Sequence, residues 1–364
     1  MSLEGLNRLK RRAPVERYIG LDVHSQSTAM VVVSQSGKRV ASHVLETSAS
    51  SLINAIKTVP GTRRLILEEG TQSAWLSEVL RPHVHELVVT SPKPAADRTK
   101  NDMQDAFIRA EELRRNAVYK RIYKPGTRAM PLREALRLYT AFNNDVVRAK
   151  NRFKALLRGR GVTGLGEDVY DPKPELLQQL MKGVPSSVAL SCEAMLEQIY
   201  LMEDLRTRAS EVLIDEARKS LAFQHLLTVP GFGPQRAATF LAIVVTPERF
   251  RKSHHLWSYA GLGISTTVSS EFYKQGKQWR RQRTPMTRGL RVGHPLLKMI
   301  FKGAALTVVK MPEHPLGHHY KKLLSKGMKE SLARLTLARK LAAIALAVWK
   351  NQEDYDSTKH HFFR

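Results

Sequence analysis

Residues 17–47 read RYIGLDVHSQSTAMVVVSQSGKRVASHVLET, and their pattern decides the fold class. YIGLDV, TAMVVVS and RVASHVLE are rich in apolar and β-branched residues and are parted by short polar breaks, so they predict three consecutive strands. Ser36-Gly37 supplies the turn that closes the last two into a hairpin. Ser48 or Ser50 can then cap a helix carrying Leu52, Ile53 and Ile56, which Pro60-Gly61 ends. Two more apolar runs, RRLILEE and HELVVTSP, flank a short helical piece at 75–80, and a further helix is expected at about 101–116. Three strands, helix, strand, helix, strand is the order of an α/β domain built on one mixed sheet.

Beyond Pro131 the period changes. Leu132, Leu136, Tyr139, Phe142, Val146, Ala149, Phe153 and Leu156 recur every three or four residues, as do Cys192, Met195, Ile199, Met202, Leu205, Ala209 and Val212. Two long amphipathic helices parted by GRGVTGLGEDVYDPKP predict either a coiled coil, antiparallel or intermolecular, or a local helical bundle. The remainder opens with LLTVPGFGPQRAATFLAIV, passes through a polar, β-like stretch, and closes with helices, the last at about 330–349. The expected division is a basic extension at 1–16, an α/β domain at 17–130, a helical connection at 131–220, a third domain at 221–312 and a helical end at 313–364.

Charge bounds the function. The 364 residues hold 59 Lys or Arg against 33 Asp or Glu, a formal charge of +26. An excess of that size serves a polynucleotide or an anionic membrane surface. The basic residues are spread over several segments and mixed with aromatics rather than gathered on one amphipathic helix, which favours nucleic acid. Cys192 is the single cysteine, so disulfides and cysteine-based zinc sites are excluded. The start, MSLEGLNRLKRRAPVERYIG, has no apolar core of a secretory signal, and a cytoplasmic protein is expected.

The candidate chemistry follows from the pattern. Asp22 ends the first strand, and Glu68 and Glu69 end the run RLIL; α/β proteins commonly assemble sites at strand ends. In KNDMQDA, Asp102 and Asp105 are three apart and share a helical face, where two like charges cost stability unless a cation offsets them. Oxygen ligands of this kind fit Mg²⁺ or Mn²⁺, and a pair of such ions can clamp a phosphodiester. The competing reading is a solvated helix start whose acids complement the dipole.

LLTVPGFGPQRAATFLA has the form of a helix-hairpin-helix whose second helix starts near Gln235. Gly231 and Gly233 would let backbone amides approach a phosphate, or serve a plain turn between packed helices. From Glu271 to Lys302 there are nine basic residues, among them Lys274, Lys277, Arg280, Arg281 and Arg283, interleaved with Phe272, Tyr273 and Trp279. Cations for phosphates and rings for stacking make a nucleic-acid surface. Arg148, Lys150, Arg152, Lys154, Arg158 and Arg160 form a second basic stripe, or else a solvated helix face. Ser269 and Ser270 read by themselves as a surface strand, and His254, His255, His294 and His314 lack metal-ligand spacing.

YIGLDVHSQS, LEEGTQSAWL, KNDMQDA, VPGFGPQRAATFLA and WSYAGLGISTTVSS occur in the order seen in the IS110-family transposases, which the chain resembles from about Arg17 to Ala305. The resemblance implies a RuvC-like (RNase H-like) N-terminal domain with a DEDD carboxylate set, a coiled-coil connection, and a mainly α C-terminal transposase domain carrying a catalytic serine. Asp22 matches the first carboxylate, and Asp102 and Asp105 the last two. Glu68 is chosen for the second over Glu69, and Ser269 for the nucleophile over Ser270, which stands where the family has glycine. The expected function is therefore a DNA transposase or recombinase of an insertion sequence. It would use a serine nucleophile and Mg²⁺ or Mn²⁺ on Asp22, Glu68, Asp102 and Asp105, and act as a dimer or tetramer at a prokaryotic nucleoid. Some members are guided by an element-encoded structured RNA, so a guide RNA is an expected partner beside DNA. A Holliday-junction-type nuclease and a non-catalytic nucleic-acid scaffold are the alternatives.

Overall fold

The computed structural model describes residues 15–92, 101–124, 126, 129–163, 166–171, 182, 185–267, 272–276, 278–281 and 287–359. Two compact units divide the chain, 1–128 and 129–364.

In the first unit the expected elements form in the expected order: β1 (Glu16–Val23), β2 (Ser27–Ser34), β3 (Arg39–Glu46), α1 (Ala49–Thr58), β4 (Thr62–Glu68), α2 (Ser73–Leu80), β5 (Glu86–Thr90) and α3 (Asp102–Arg114). A two-residue strand, β6 (Arg121–Ile122), is an addition too short to leave a periodic signal. The sheet order is β3-β2-β1-β4-β5-β6, antiparallel across β3-β2-β1 and β5-β6, and parallel across β1-β4-β5. This mixed sheet is consistent with a RuvC-like fold. Gly37, at φ +88°, makes the β2–β3 turn, and the Ser48 hydroxyl caps α1 by accepting from the Ser51 amide.

Both faces of the sheet centre are covered, which is why β1, β2 and β4 read as nearly unbroken apolar runs. Ile19, Leu21, Leu65 and Leu67 pack with Leu52, Ile56, Leu76 and Leu80 of α1 and α2. Tyr18 and Ile66 pack on the opposite face with Ala106, Ala110 and Leu113 of α3. Strand alternation therefore turns Gly20, Asp22 and Glu68 toward the face that carries α3.

The second unit begins with α4 (Met130–Arg158) and α5 (Ser186–Arg218), which form an antiparallel helical hairpin. Phe153 and Leu157 pack near Val188, Cys192 and Leu196, whereas Leu136 packs near Leu213 and Ala217. Tyr170, from a short turn at Asp168–Tyr170, plugs the far end. Then come α6 (Leu221–Leu227), α7 (Pro234–Val244), α8 (Ser253–Tyr259), β7 (Ile264–Thr267), β8 (Phe272–Gln275), β9 (Gln278–Arg281), β10 (Thr287–Leu290), α9 (Pro295–Val309), α10 (Pro315–Ser325) and α11 (Glu330–Asn351). β7 pairs with β10, and β8 forms a hairpin with β9. The core is helical, and the rings of Phe232, Phe240, Phe301 and Trp349 meet at its centre. No helix of the described residues is long and apolar enough to cross a membrane.

Candidate active site

The site is set by a close approach of backbones. A Cβ placed on Gly20 would lie 1.9 Å from the Ala106 carbonyl oxygen and 2.8 Å from the Ala110 amide nitrogen. Only glycine lets α3 sit this near to β1. Asp22 follows Gly20 by two residues on the same strand face, and Asp102 precedes Ala106 by one helical turn. The contact thus carries the start of α3 to the end of β1.

There the His24 Nε2 lies 3.4 Å from Asp22 Oδ2 and 3.2 Å from Asp102 Oδ2. Asp22 is 7% exposed. Among the described residues its Oδ2 and the His24 Nε2 are buried without a hydrogen bond, and with an Asp102 oxygen they form a group of three donor atoms within 4.8 Å of one another. Two hard carboxylate oxygens beside an imidazole are donors a divalent cation accepts. No other such group of acids, His or Cys occurs among the described residues.

Glu68 joins this group through Arg109. The Arg109 Nη2 donates to Asp22 Oδ1 at 3.1 Å and also to the Glu68 carboxylate. A guanidinium between the buried Asp22 and half-buried Glu68 carboxylates offsets a repulsion that would otherwise cost stability. Glu69 points elsewhere: it accepts from Ser73 Oγ at 3.1 Å and pairs with the buried Lys124 ammonium at 2.5 Å. Asp105 lies in the first turn of α3 on the face shared by Asp102 and Arg109. The Asn101 side chain caps that helix by accepting from the Gln104 amide at 3.1 Å.

Sequence reasoning missed Gly20, His24 and Arg109. The glycine inside the strand YIGLDV was the one readable signal, because an interior strand glycine marks a close backbone neighbour. His24 stood in the quoted motif with no spacing to recommend it. Arg109 looked like any surface cation.

The other expected residues fall in the second unit or outside the described residues. Gly231 has φ +79°, and a Cβ on it would lie 2.6 Å from the Ala304 carbonyl oxygen, so packing against α9 already requires a glycine there. Its own carbonyl accepts from Arg236 Nη1 at 2.6 Å. Gly233 caps α7, which starts at Pro234, and a Cβ there would meet nothing within 4 Å.

The basic stripe on α4 divides. Lys150 and Lys154 turn onto the Tyr170 ring, at 4.5 and 4.7 Å from its centre, and Lys150 also pairs with Glu203 at 2.8 Å. Residues two apart on a helix do not share a face. Arg148 pairs with Asp145 and stays exposed, and Arg152 donates to Gln198 at 3.1 Å. On the β8–β9 hairpin, Lys274 is cross-strand partner to Trp279 and Tyr273 to Arg280, with Arg281 opposite Phe272. Lys274, Trp279 and Arg280 are exposed. Ser269, Ser270, Lys277 and Arg283 lie outside the described residues.

Residues 19–160, which contain all four expected carboxylates, match the family model of DEDD transposases of the IS110 type. Residues 223–321, from α6 past the expected serine, match the model of the transposase IS116/IS110/IS902 family. No curated protein matches the chain. Two models of one family thus match in order over more than half of the sequence, on top of a RuvC-like sheet whose acids converge, and the chain belongs to the IS110 family of transposases.

Proposed function

We propose that the protein breaks and rejoins DNA through a serine-linked intermediate, with Asp22, Glu68, Asp102 and Asp105 as the metal-binding set and Ser269 as nucleophile. The observation that carries the reading is the meeting of Asp22 and Asp102, from the first strand and third helix, at one imidazole. Mg²⁺ or Mn²⁺ held there would supply Lewis-acid polarisation of a phosphodiester oxygen. His24 orients both carboxylates, and Arg109 holds Asp22 and Glu68 together against their mutual repulsion.

In the first step the Ser269 hydroxyl oxygen bonds to phosphorus, one deoxyribose oxygen leaves, and the serine proton ends on that leaving hydroxyl. A hydroxyl of a second strand then attacks the phosphoserine and returns the serine. Bond energy is conserved, so no nucleotide hydrolysis is required.

The two basic regions, the Arg148–Arg152 face of α4 and the β8–β9 hairpin with Lys274 and Arg280, support simultaneous grip on two polyanions. DNA and an element-encoded structured RNA are the pair we infer, with RNA pairing supplying the sequence specificity.

The test is incubation with supercoiled DNA and Mg²⁺, then denaturation and protease digestion. A protein-linked strand is expected from the wild type and none from Ser269→Ala, which should still bind DNA. Free nicked ends with no linked product would refute the serine. Protein produced with its native flanking sequence should copurify with a discrete RNA, and recombination surviving RNase would refute the guide.

A further inference from the structure

A cavity of about 520 Å³ opens among α8, α10 and α11, and its lining includes Trp257, His319, Lys322, Lys326, Arg339 and Lys340. The volume lies within the range of small-ligand sites, about 300–1,000 Å³. Five of the eight described lining side chains are basic, Leu323 and Thr336 completing the set, and none of them is a carboxylate. Among the described residues none of the five forms an ion pair. On the segments that flank α10, Glu313 pairs with His318 and Glu330 with Arg334.

The wall is built rather than incidental. Arg339 donates from Nε to the Leu262 carbonyl at 2.8 Å, and its own carbonyl accepts from the Trp257 indole at 2.9 Å, which fixes both residues. Among the described residues its Nη2 is buried without a partner. Burial, and the ammonium groups of Lys340, Lys322 and Lys326, hold the His319 imidazole below its ordinary value. Burial likewise lowers Arg339 and Lys340. Gathering like charges around a half-buried concavity costs stability until an anion enters.

We propose that this cavity seats a phosphodiester of a nucleic-acid strand, the cations holding phosphate oxygens and Trp257 with Leu323 walling the adjoining sugar or base. A compact apolar wall beside several phosphate donors is how single strands are held without sequence preference. The cavity shares no residue with the carboxylate site. It rests on the nucleic-acid reading above only for the choice of polyanion, and either DNA or RNA carries the required group.

The test compares the full chain with Lys322→Glu/Lys326→Glu, two exposed residues in the last turn and at the C-cap of α10, and with the control Lys38→Glu/Lys57→Glu, equal in charge change. The probes are labelled single-stranded DNA, RNA of the same sequence, and duplex DNA over a salt series. The cavity variant should lose about 10-fold or more in affinity for at least one strand type. Its salt slope should fall by about 0.7 per single-strand phosphate lost, or about 0.9 for duplex. Whichever probe shows the loss identifies the strand. Lysine acetylation of wild-type protein should show Lys322, Lys326 and Lys340 protected by that probe. Wild-type affinity and slope in the cavity variant, or an equal loss in the control, would overturn the proposal. If the wild type bound no probe, the nucleic-acid reading itself would fall.

Discussion

Gly20→Ala is the sharpest test of how the site is assembled. The added methyl meets backbone rather than a yielding side chain: 1.9 Å to the Ala106 oxygen and 2.8 Å to the Ala110 nitrogen. Reaching the 3.4 Å of an ordinary Cβ contact requires α3 to withdraw by about 1.5 Å. Overpacking costs about 1–3 kcal/mol, and two backbone contacts put this change at the upper end, roughly 3 kcal/mol. With a urea dependence of about 2 kcal/mol per molar, the unfolding midpoint should drop by roughly 1.5 M. Asp102 rides on the same rigid helix one turn away, so a shift near 1 Å at the carboxylates should slow strand cleavage by about 100-fold. Amide hydrogen exchange at β1 and α3 along a urea series reads the stability, and Mg²⁺-dependent nicking of supercoiled DNA reads the chemistry. Gly126→Ala, where a Cβ meets nothing within 4 Å, is the neutral comparison. A Gly20→Ala protein with the wild-type midpoint and cleavage within twofold would show that α3 does not depend on this approach.

Three further outcomes are expected. Glu68→Gln should abolish Mg²⁺-dependent nicking, whereas Glu69→Gln should keep it but melt earlier because it weakens the partner of the buried Lys124; the reverse pattern in a nicking assay and thermal melt would exchange their roles. Arg109→Met should cost about 1–3 kcal/mol in EDTA by leaving Asp22 and Glu68 opposed, and Mg²⁺ should restore more of its melting temperature than it adds to the wild type; an identical metal response in the two proteins refutes the shared cation site. Gly231→Ala should loosen the α6–α7 turn from Ala304 and lower the melting temperature, while Gly233→Ala should leave it unchanged; calorimetry distinguishes them, and equal stabilities would contradict the packing described.

Local chemistry made much of the first unit legible in the sequence. The Ser36-Gly37 turn, the Ser48 cap and the period of each apolar run depend on neighbours a few residues away, so a short window contains the information. Carboxylates at the ends of β1 and β4 could be read for the same reason. The choice between Glu68 and Glu69 could not: LIL is buried on both sheet faces, alternation leaves no polar trace, and only the position of α3 says which parity faces the site. The α4 stripe showed the opposite limit, since its charges were visible while the turn of Lys150 and Lys154 onto Tyr170 awaited the path of the connecting segment. His24 between Asp22 and Asp102, Arg109 across to Glu68, and the cationic cavity from Trp257 to Lys340 join residues far apart in the chain. Such meetings are fixed by strand register and by how closely two backbones can approach, and those quantities belong to the packed structure rather than to any stretch of sequence.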